Sequence, residues 1–413
     1  MTADRPPLPV RSRLAVAAGG LVAGASRRTG LGSGSVIGGR ASLVLDPGLL
    51  ARLTSGRRIV LVSATNGKTT TTHLLAAALR TAGPVATNDL GANMGPGLVA
   101  ALAGTDPDAV AVLEVDERWL PSVLDQVGPA VVVLGNLSRD QLDRTQEVRH
   151  LAEQWHEALA RLPTHAVVAN ADDPLVAWAA SAAPSVTWVA PGSLWTLDAT
   201  GCPACGGRID FDDAGWRCRS CDLARPEPDV ALVGDVLVGP DGRRTTLDLA
   251  LPGRANRANA ALVVAAAGPL GLDHDEVVAA VAGVADVAGR YRTATIGRTR
   301  ARLLLAKNPA GWQEALDMVG PAPRPVAAAI NARIADGRDP SWLWDVPFER
   351  LAGRPVVAVG ERRHDLAVRL RYADVEHRVA ADLPAAVALL DADEVDYIGN
   401  YTAFQDELDR VGR

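Results

Sequence analysis

The loop 64–69, read Ala-Thr-Asn-Gly-Lys-Thr, combines residue types that hold phosphate. It lies between the apolar strand pattern IVLV (59–62) and a helical pattern. A glycine-containing turn at this place exposes backbone N–H groups, and the following helix adds a partial positive charge. Lys68 would reach the terminal phosphates of a nucleotide, and the Thr69 hydroxyl would bind Mg²⁺. The common phosphate-binding loop has a further glycine where this chain has Val62, so the loop is unusually short.

A carboxylate also lies near the end of a second predicted strand. Glu114 is the sixth residue of the apolar run AVAVLEV (109–115). From residue 55 to about 190, such runs alternate with helical patterns, which predicts a parallel sheet that is covered on both faces. Ligands bind such sheets at the carboxyl ends of the strands, where both the loop and Glu114 are placed. A solvated glutamate at a strand end is the alternative reading of Glu114.

Four cysteines form two paired knuckles, CPAC (202–205) and CRSC (218–221), separated by twelve residues. Four thiolates at this spacing suit a tetrahedral Zn²⁺ site with no open position for catalysis. Redox pairs are the alternative interpretation. We expect Cys202, Cys205, Cys218 and Cys221 to bind a structural zinc within an insertion at 198–226. No cysteine then remains free to act as a nucleophile. If the protein uses ammonia drawn from glutamine, a separate protein must release that ammonia.

The 413 residues suffice for two or three domains, and a net charge of −6 argues against nucleic acid as a main partner. The segment 11–28 places about twelve small apolar residues between arginines, too few for the roughly 20 that span a bilayer. We expect it to be a packed or membrane-surface helix; a cleaved signal peptide is the alternative. Only two lysines occur in the chain, Lys68 and Lys307.

The short loop resembles the TNGKTTT loop of the Mur ligases, ATP-dependent enzymes that build the peptidoglycan stem peptide. LEVDE at 113–117, NLSRDQLDR at 136–144, LPGRANRANA at 251–260 and Gly-Arg at 289–290 are similar to further motifs of that family. The resemblance implies ATP and Mg²⁺ as cofactors, with Thr69 and Glu114 as metal ligands. It also implies a set of nucleotide-binding residues, namely Thr65, Asn66, Gly67, Lys68, Thr69, Thr70, Asn256, Asn259 and Arg290.

The sequence departs from the usual Mur ligase pattern at three points. Gln141 stands where the family usually has a metal-binding histidine, which puts a second Mg²⁺ there in doubt. Ala255 replaces the histidine of the family's adenine-side segment. No lysine occurs between Lys68 and Lys307, so the carbamylated lysine that many Mur ligases use to hold a second metal has no counterpart.

A second α/β region begins near residue 292, and LAKNPAGWQEAL (305–316) resembles the start of the Mur ligase C-terminal domain. The segments 330–351, 360–375 and 397–408 are similar to the C-terminal domain of MurT-type Mur ligases. That resemblance implies ATP-dependent conversion of the D-glutamate α-carboxylate of lipid II, or of a related muropeptide precursor, to an amide. An acyl phosphate would be attacked by ammonia from a GatD-like glutaminase subunit. The alternative is an amino-acid-adding ligase of the Mur or folylpolyglutamate type.

The stretch DGRDPSWLWD (336–345) is rich in aspartate and tryptophan. Asp336, Asp339 and Asp345 are candidates for an essential carboxylate near the incoming ammonia or at the partner's catalytic centre, and Trp342 and Trp344 for interface anchors. A tight turn with core tryptophans is the alternative.

The sequence as a whole predicts an α/β chain. A short region, 1–54, would precede a Mur-type ATPase domain, 55–291, with a phosphate loop and the inserted zinc ribbon. A dinucleotide-fold-like C-terminal domain would cover 292–413. Residues 1–54 are too few for the full UDP-binding domain of the soluble-substrate Mur ligases. We expect a cytoplasmic enzyme that works at the inner face of the membrane.

Overall fold

The computed structural model describes residues 7–29, 34–88, 92–139, 148–162, 166–193, 195–287 and 290–411. The chain divides into two units. The first contains residues 1–137, 148–250 and 257–284, and the second contains 138–147, 251–256 and 285–413. Gln141 and Gly289, which the sequence analysis singled out, lie outside the described residues. None of the described helices is long and apolar enough to cross a membrane.

The first unit is built on a nine-stranded sheet with the order β11-β10-β9-β6-β5-β4-β1-β3-β2. The neighbours from β2 to β9 pair in parallel, whereas β10 pairs antiparallel with β9 and with β11. Its strands are β1 (Ile59–Ser63), β2 (Val85–Thr87), β3 (Val110–Glu114), β4 (Val131–Leu134), β5 (Ala166–Asn170), β6 (Val186–Ala190), β9 (Val230–Val233), β10 (Val236–Val238) and β11 (Arg244–Thr246). A separate hairpin consists of β7 (Ile209–Asp212) and β8 (Gly215–Cys218), and one of the four cysteines, Cys218, ends it.

Helices cover this sheet because its central strands are apolar on both faces, so that neither face tolerates water. All residues of β1 and β4 are buried. The helices in this part of the chain are α1 (Val10–Arg28), α2 (Ser35–Leu45), α3 (Leu49–Thr54), α4 (Lys68–Arg80), α5 (Gly95–Ala103), α6 (Leu120–Leu124), α7 (Val148–Ala160), α8 (Pro174–Ala180), α9 (Arg254–Leu270) and α10 (His274–Ala282).

The second unit contains a six-stranded sheet with the order β12-β13-β17-β14-β15-β16, in which only the β12–β13 pair is antiparallel. One face packs against α11 and α12, and the other packs against α13 and α14. The elements are β12 (Tyr291–Ile296), β13 (Thr299–Leu305), α11 (Pro309–Met318), β14 (Val326–Ala329), 3₁₀ turns at Ser341–Asp345 and Phe348–Leu351, β15 (Val356–Val359), α12 (Arg363–Tyr372), β16 (His377–Val379), α13 (Leu383–Leu390), β17 (Glu394–Gly399) and α14 (Tyr401–Val411).

The fold class read from the sequence is confirmed: a covered parallel sheet, an inserted four-cysteine hairpin and a second parallel α/β unit are all present. The order of strands explains how distant motifs meet. β1 lies between β3 and β4, so the segments that follow these three strands emerge at one edge of the sheet. The domain boundaries at 54/55 and 291/292 stay predictions.

Candidate active site and metal centre

The phosphate loop depends on a glycine in the left-handed region. Gly67 has φ 80° and immediately precedes α4. A Cβ atom at this position would lie 2.5 Å from the Asn259 Oδ1 atom. Glycine is therefore required both by the backbone angle and by the close approach of α9. Asn259, which the sequence assigned to the nucleotide site, thus lies directly against the loop.

Asn136, two residues after β4, holds the loop in place. Its backbone carbonyl accepts a hydrogen bond from the Thr65 N–H at 2.8 Å, and its side chain accepts one from the Asn66 N–H at 2.9 Å. Its amide group donates in return to the Asn66 carbonyl at 3.0 Å. The sequence analysis quoted this asparagine within NLSRDQLDR but gave it no role. The sequence signal for this role was an amide side chain placed directly after a strand of the predicted sheet.

Lys68 is buried and paired with a second glutamate of LEVDE. Its Nζ atom donates to the Glu117 Oε2 atom at 2.9 Å, to the Thr65 carbonyl at 3.2 Å and to the Ala64 carbonyl. Both partners of the ion pair have less than a tenth of their side chains exposed. Glu117 was missed from the sequence, although it lies only three residues after Glu114. The pairing keeps a cation at the loop, where phosphate would bind.

Glu114 and Thr69 form the candidate Mg²⁺ site. The Thr69 hydroxyl donates to the Glu114 Oε2 atom at 2.8 Å, and the Asn93 side chain donates to Oε1 at 3.0 Å. Asn88 fixes the Glu114 backbone through two hydrogen bonds of 2.8 Å. Glu114 is only 1% exposed, which excludes a solvated strand-end glutamate.

A second carboxylate, Asp116, follows Glu114 closely. Burial by itself raises the pKa of Asp116, but the hydrogen bond and charge of Arg118, with the charge of Lys68, bring it below its ordinary value. The carboxylate is therefore charged at neutral pH. Carboxylate and hydroxyl oxygens are the ligands that Mg²⁺ prefers, and a lysine beside a glycine turn suits phosphate. The residues present thus fit ATP and Mg²⁺.

The remaining nucleotide candidates differ in their placement. Thr70 is buried in the first turn of α4. Asn256 is one turn before Asn259 on α9, and its side chain donates to the Pro252 carbonyl at 2.6 Å. Arg290 immediately precedes β12, and its carbonyl accepts from the Leu305 N–H at 3.1 Å. The structure brings Thr69, Lys68, Glu114 and Asn259 to one place, and the roles of Asn256 and Arg290 stay predictions.

The four cysteine sulfurs lie together in the first unit. All lie within 4.8 Å of one another, with Cys202 and Cys221 at 3.7 Å and Cys205 and Cys218 at 3.5 Å. Four thiolates around zinc at about 2.3 Å place their sulfurs about 3.8 Å apart, so the donor set fits Zn²⁺. A backbone N–H from Ser220 lowers the pKa of the Cys218 thiol to about 7, which favours the thiolate that binds metal.

The hairpin that carries these cysteines packs on the main sheet. Trp216 is buried in a cluster with Ile209 and Ala177, and its indole N–H donates to the Ala171 carbonyl at 2.8 Å. Arg225 donates to Asp172, just after β5, at 2.6 Å. Trp216 and Arg225 thus hold the hairpin against the first unit, and the hairpin forms a sheet separate from the one that carries the phosphate loop.

The three aspartates of the 336–345 segment have different surroundings. Asp336 is buried and bonded to the Thr402 hydroxyl and to the Thr402 N–H, the latter at 2.8 Å, so it caps α14. Asp339 is exposed and accepts from the Ser341 N–H at 2.9 Å, and this hydrogen bond lowers its pKa. Asp345 is partly exposed and lies 3.3 Å from the Arg139 guanidinium.

The two tryptophans of this segment also differ. Trp342 is buried in the core of the second unit, as expected for a tight turn with a core tryptophan. Trp344 is 55% exposed and lies edge-on to the exposed Tyr372 ring, with centroids 5.3 Å apart. Trp344 therefore remains a candidate interface anchor, whereas Trp342 has no accessible face of that size.

Comparison with known proteins gives two family matches. Residues 62–191 match the Mur ligase middle domain, and residues 305–404 match the MurT ligase C-terminal domain. Among solved structures, a pseudomurein peptide ligase type C from Methanothermus fervidus superimposes with a TM-score of 0.67 at 20% identity, covering 88% of this chain and 80% of that one. MurF from Acinetobacter baumannii gives 0.66 at 16% identity, covering 91% and 81%. These structures share the fold.

Curated relatives extend over most of the chain. The MurT subunit of lipid II isoglutaminyl synthase (glutamine-hydrolyzing) from Streptococcus pneumoniae is 32% identical over 383 residues, which covers 85% of this chain and 86% of that protein. The corresponding subunit from Staphylococcus aureus (strain COL) is 28% identical over 421 residues, covering 94% and 95%. The chain therefore belongs to the MurT family of Mur ligases.

Proposed function

We propose that this chain is the synthetase subunit of a lipid II isoglutaminyl synthase, an ATP-dependent carbon–nitrogen ligase. It converts the α-carboxylate of D-glutamate in the peptidoglycan stem peptide to an amide. The observation that carries this proposal is the match to MurT subunits over most of the chain, together with the buried Thr69–Glu114 pair beside Lys68. The substrate is lipid II or a related muropeptide precursor.

The residues of the loop indicate how the chain assists the reaction. ATP and Mg²⁺ supply the phosphoryl group and neutralise its charge when they are bound. Lys68 and the N–H groups of α4 bind phosphate oxygens, and Thr69 and Glu114 hold the metal. These groups are fixed before the reaction by Asn136, Asn93 and Asn88. The substrate carboxylate would take the terminal phosphoryl group of ATP, with ADP as the leaving group, to give an acyl phosphate. Ammonia would then attack the acyl carbon and displace phosphate, which leaves the amide. Preorganised cationic and N–H donors stabilise the charge that develops on the transferred phosphoryl group.

A separate glutaminase subunit, GatD-like, is proposed as the source of ammonia. The sequence has four cysteines, and all four sulfurs lie in the metal-type cluster. None is then available as a nucleophile for glutamine hydrolysis. Trp344 and the partly exposed Asp345 lie in the second unit, and we propose that this segment contacts the partner.

Three further assignments belong to the same proposal. The cysteine cluster binds one structural Zn²⁺. Residues 55–291 form the ATPase domain with its insertion at 198–226, and residues 292–413 form the C-terminal domain. The enzyme works in the cytoplasm at the inner face of the membrane, where a lipid-linked substrate is displayed.

Incubation with lipid II, ATP, Mg²⁺ and ammonium tests the proposal. Mass spectrometry of the released muropeptide should show replacement of one carboxyl hydroxyl by an amino group. The Glu114→Gln variant should lose this activity because a metal ligand is removed, whereas Glu157→Gln, an exposed glutamate on α7, should retain it. Wild-type chain that yields no amide, alone or with the glutaminase subunit, would overturn the proposed function. Incorporation of an amino acid instead of ammonia would favour an amino-acid-adding ligase.

A further inference from the structure

The helices α1 and α2 expose their large apolar side chains and bury their small ones. On α1, the packed face consists of Ser12, Ala15, Gly19 and Ser26. Val10, Leu14 and Leu21 share the opposite face by helical periodicity, and Leu14 and Leu21 are 64% and 77% exposed. A globular helix normally has the reverse distribution.

The second helix follows the same pattern. Its buried residues are Gly38, Gly39 and Ser42, whereas Val44 is 80% exposed and Ile37 more than half exposed. Single exposed apolar residues are ordinary on protein surfaces, but several large ones on two adjacent helices are not. We call the exposed residues Val10, Leu14, Leu21, Ile37 and Val44 the N-terminal apolar patch.

Packing between the two helices explains why the small residues must lie inside. A Cβ atom on Gly38 would lie 2.6 Å from the Gly19 carbonyl oxygen, and one on Gly19 would collide with the Ser42 side chain. The Ser42 hydroxyl donates to the Ala15 carbonyl at 2.9 Å across this interface. Larger side chains cannot enter so close a contact, so the apolar residues of both helices are left on the outer faces.

The charge of this region is opposite to that of the whole chain. Residues 5–45 contain six arginines and no lysine, aspartate or glutamate, although the net charge of the protein is −6. Asp46 is buried, where its carboxylate accepts from the Ser12 hydroxyl at 2.6 Å and pairs with Arg52. Arg13, Arg28 and Arg40 are exposed on the same two helices as the apolar patch. An exposed apolar face beside arginines fits the boundary between anionic headgroups and acyl chains.

We propose that the N-terminal apolar patch and its arginines dock the enzyme on an anionic lipid bilayer, with both helices lying on the surface. The proposal rests on the proposed lipid-linked substrate and names the surface that would bring the chain to it. Neither helix is long and apolar enough to span the bilayer, so the contact is peripheral. The apolar side chains enter the boundary region, and the arginines pair with headgroup phosphates.

Sedimentation of the full chain with vesicles tests the docking surface. Binding to vesicles that contain phosphatidylglycerol should be about tenfold or more tighter than binding to pure phosphatidylcholine, and should weaken with added salt. The triple variant Leu14→Glu, Leu21→Glu and Val44→Glu should lose binding. A matched variant, Val233→Glu with Leu389→Glu, alters exposed apolar residues elsewhere and should bind normally. A second variant, Arg13→Ala with Arg28→Ala and Arg40→Ala, should lose the preference for anionic vesicles without any new charge on the apolar face.

Several results would overturn the docking proposal. The first is a wild-type chain that does not bind anionic vesicles. The second is wild-type-like binding by both the triple glutamate variant and the triple arginine variant. The third is a triple glutamate variant that still binds vesicles but loses self-association or its binding to the glutaminase subunit. Amidation of lipid II in detergent micelles tests the proposed function separately, because a substrate in micelles needs no docking of the enzyme on a bilayer. The triple variant should amidate that substrate like the wild type. A wild-type chain that binds vesicles but amidates nothing would contradict the function alone.

Discussion

At the scale of single residues, the phosphate loop is held by buried polar pairs. Lys68 and Glu117 have little contact with solvent, so each charge depends on the other. Removing one partner of a buried ion pair leaves an uncompensated charge, whereas replacing both partners often costs little. The stability of the loop and its chemistry can therefore be separated by mutation.

We expect the variant Lys68→Met to lower the free energy of unfolding by about 3 kcal/mol, because Glu117 is left buried without its cation. The double variant Lys68→Met with Glu117→Gln should recover most of that loss but remain unable to amidate lipid II. Urea unfolding and the amidation assay measure the two properties. Equal stability of the wild type and the single variant would contradict the buried pairing.

At the scale of elements, the β7–β8 hairpin has little core of its own and packs on the sheet mainly through Trp216. A metal held by four thiolates would supply folding free energy that so small a hairpin lacks. Because the Trp216 indole is buried by the hairpin, its fluorescence reports whether the hairpin is folded.

We expect one Zn²⁺ per purified chain by elemental analysis. Strong chelators, or the variant Cys205→Ser, should release the metal and expose Trp216, which shifts its fluorescence to longer wavelength. The matched variant Ser220→Ala changes a neighbour of the cysteines that is not a thiol, and should keep the metal. A chain that contains no zinc and still buries Trp216 would show that the four thiols need no metal.

At the scale of the whole molecule, the aspartates of the 336–345 segment fall into two groups, one buried and structural and the other accessible to solvent. Asp336 caps α14 inside the second unit, whereas Asp339 and Asp345 reach solvent. Only the latter two are placed to meet a partner subunit. We propose that one of them is essential when glutamine is the nitrogen source.

We expect Asp336→Asn to destabilise the protein by about 1–3 kcal/mol, because one of its two buried acceptor oxygens becomes a donor. Asp339→Asn and Asp345→Asn should fold normally. At least one of them should lose glutamine-dependent amidation with the partner present and retain activity with ammonium. Parallel assays with the two nitrogen sources measure this. Full glutamine-dependent activity in both variants would refute a role for these carboxylates.

The sequence by itself determined the features that local chemistry dictates. Residue types and their spacing are enough to identify the short loop with Gly67 and Lys68, the paired cysteine knuckles and the apolar strands. They predicted the covered parallel sheet, the cysteine cluster and the family. The placement of Glu114 at a strand end followed from the same periodicity.

Only the tertiary structure decided which distant side chains meet. Asn136 and Glu117 join the loop because β3 and β4 flank β1, an order that no local pattern specifies. Asn93, which follows β2, reaches Glu114 because β2 lies beside β3. Burial likewise distinguished Asp336 from Asp345 and Trp342 from Trp344, since neighbouring residues in a turn can point into the core or into solvent. The outward apolar face of α1 emerged from glycine packing against α2, which is a property of the assembled pair and not of either helix alone.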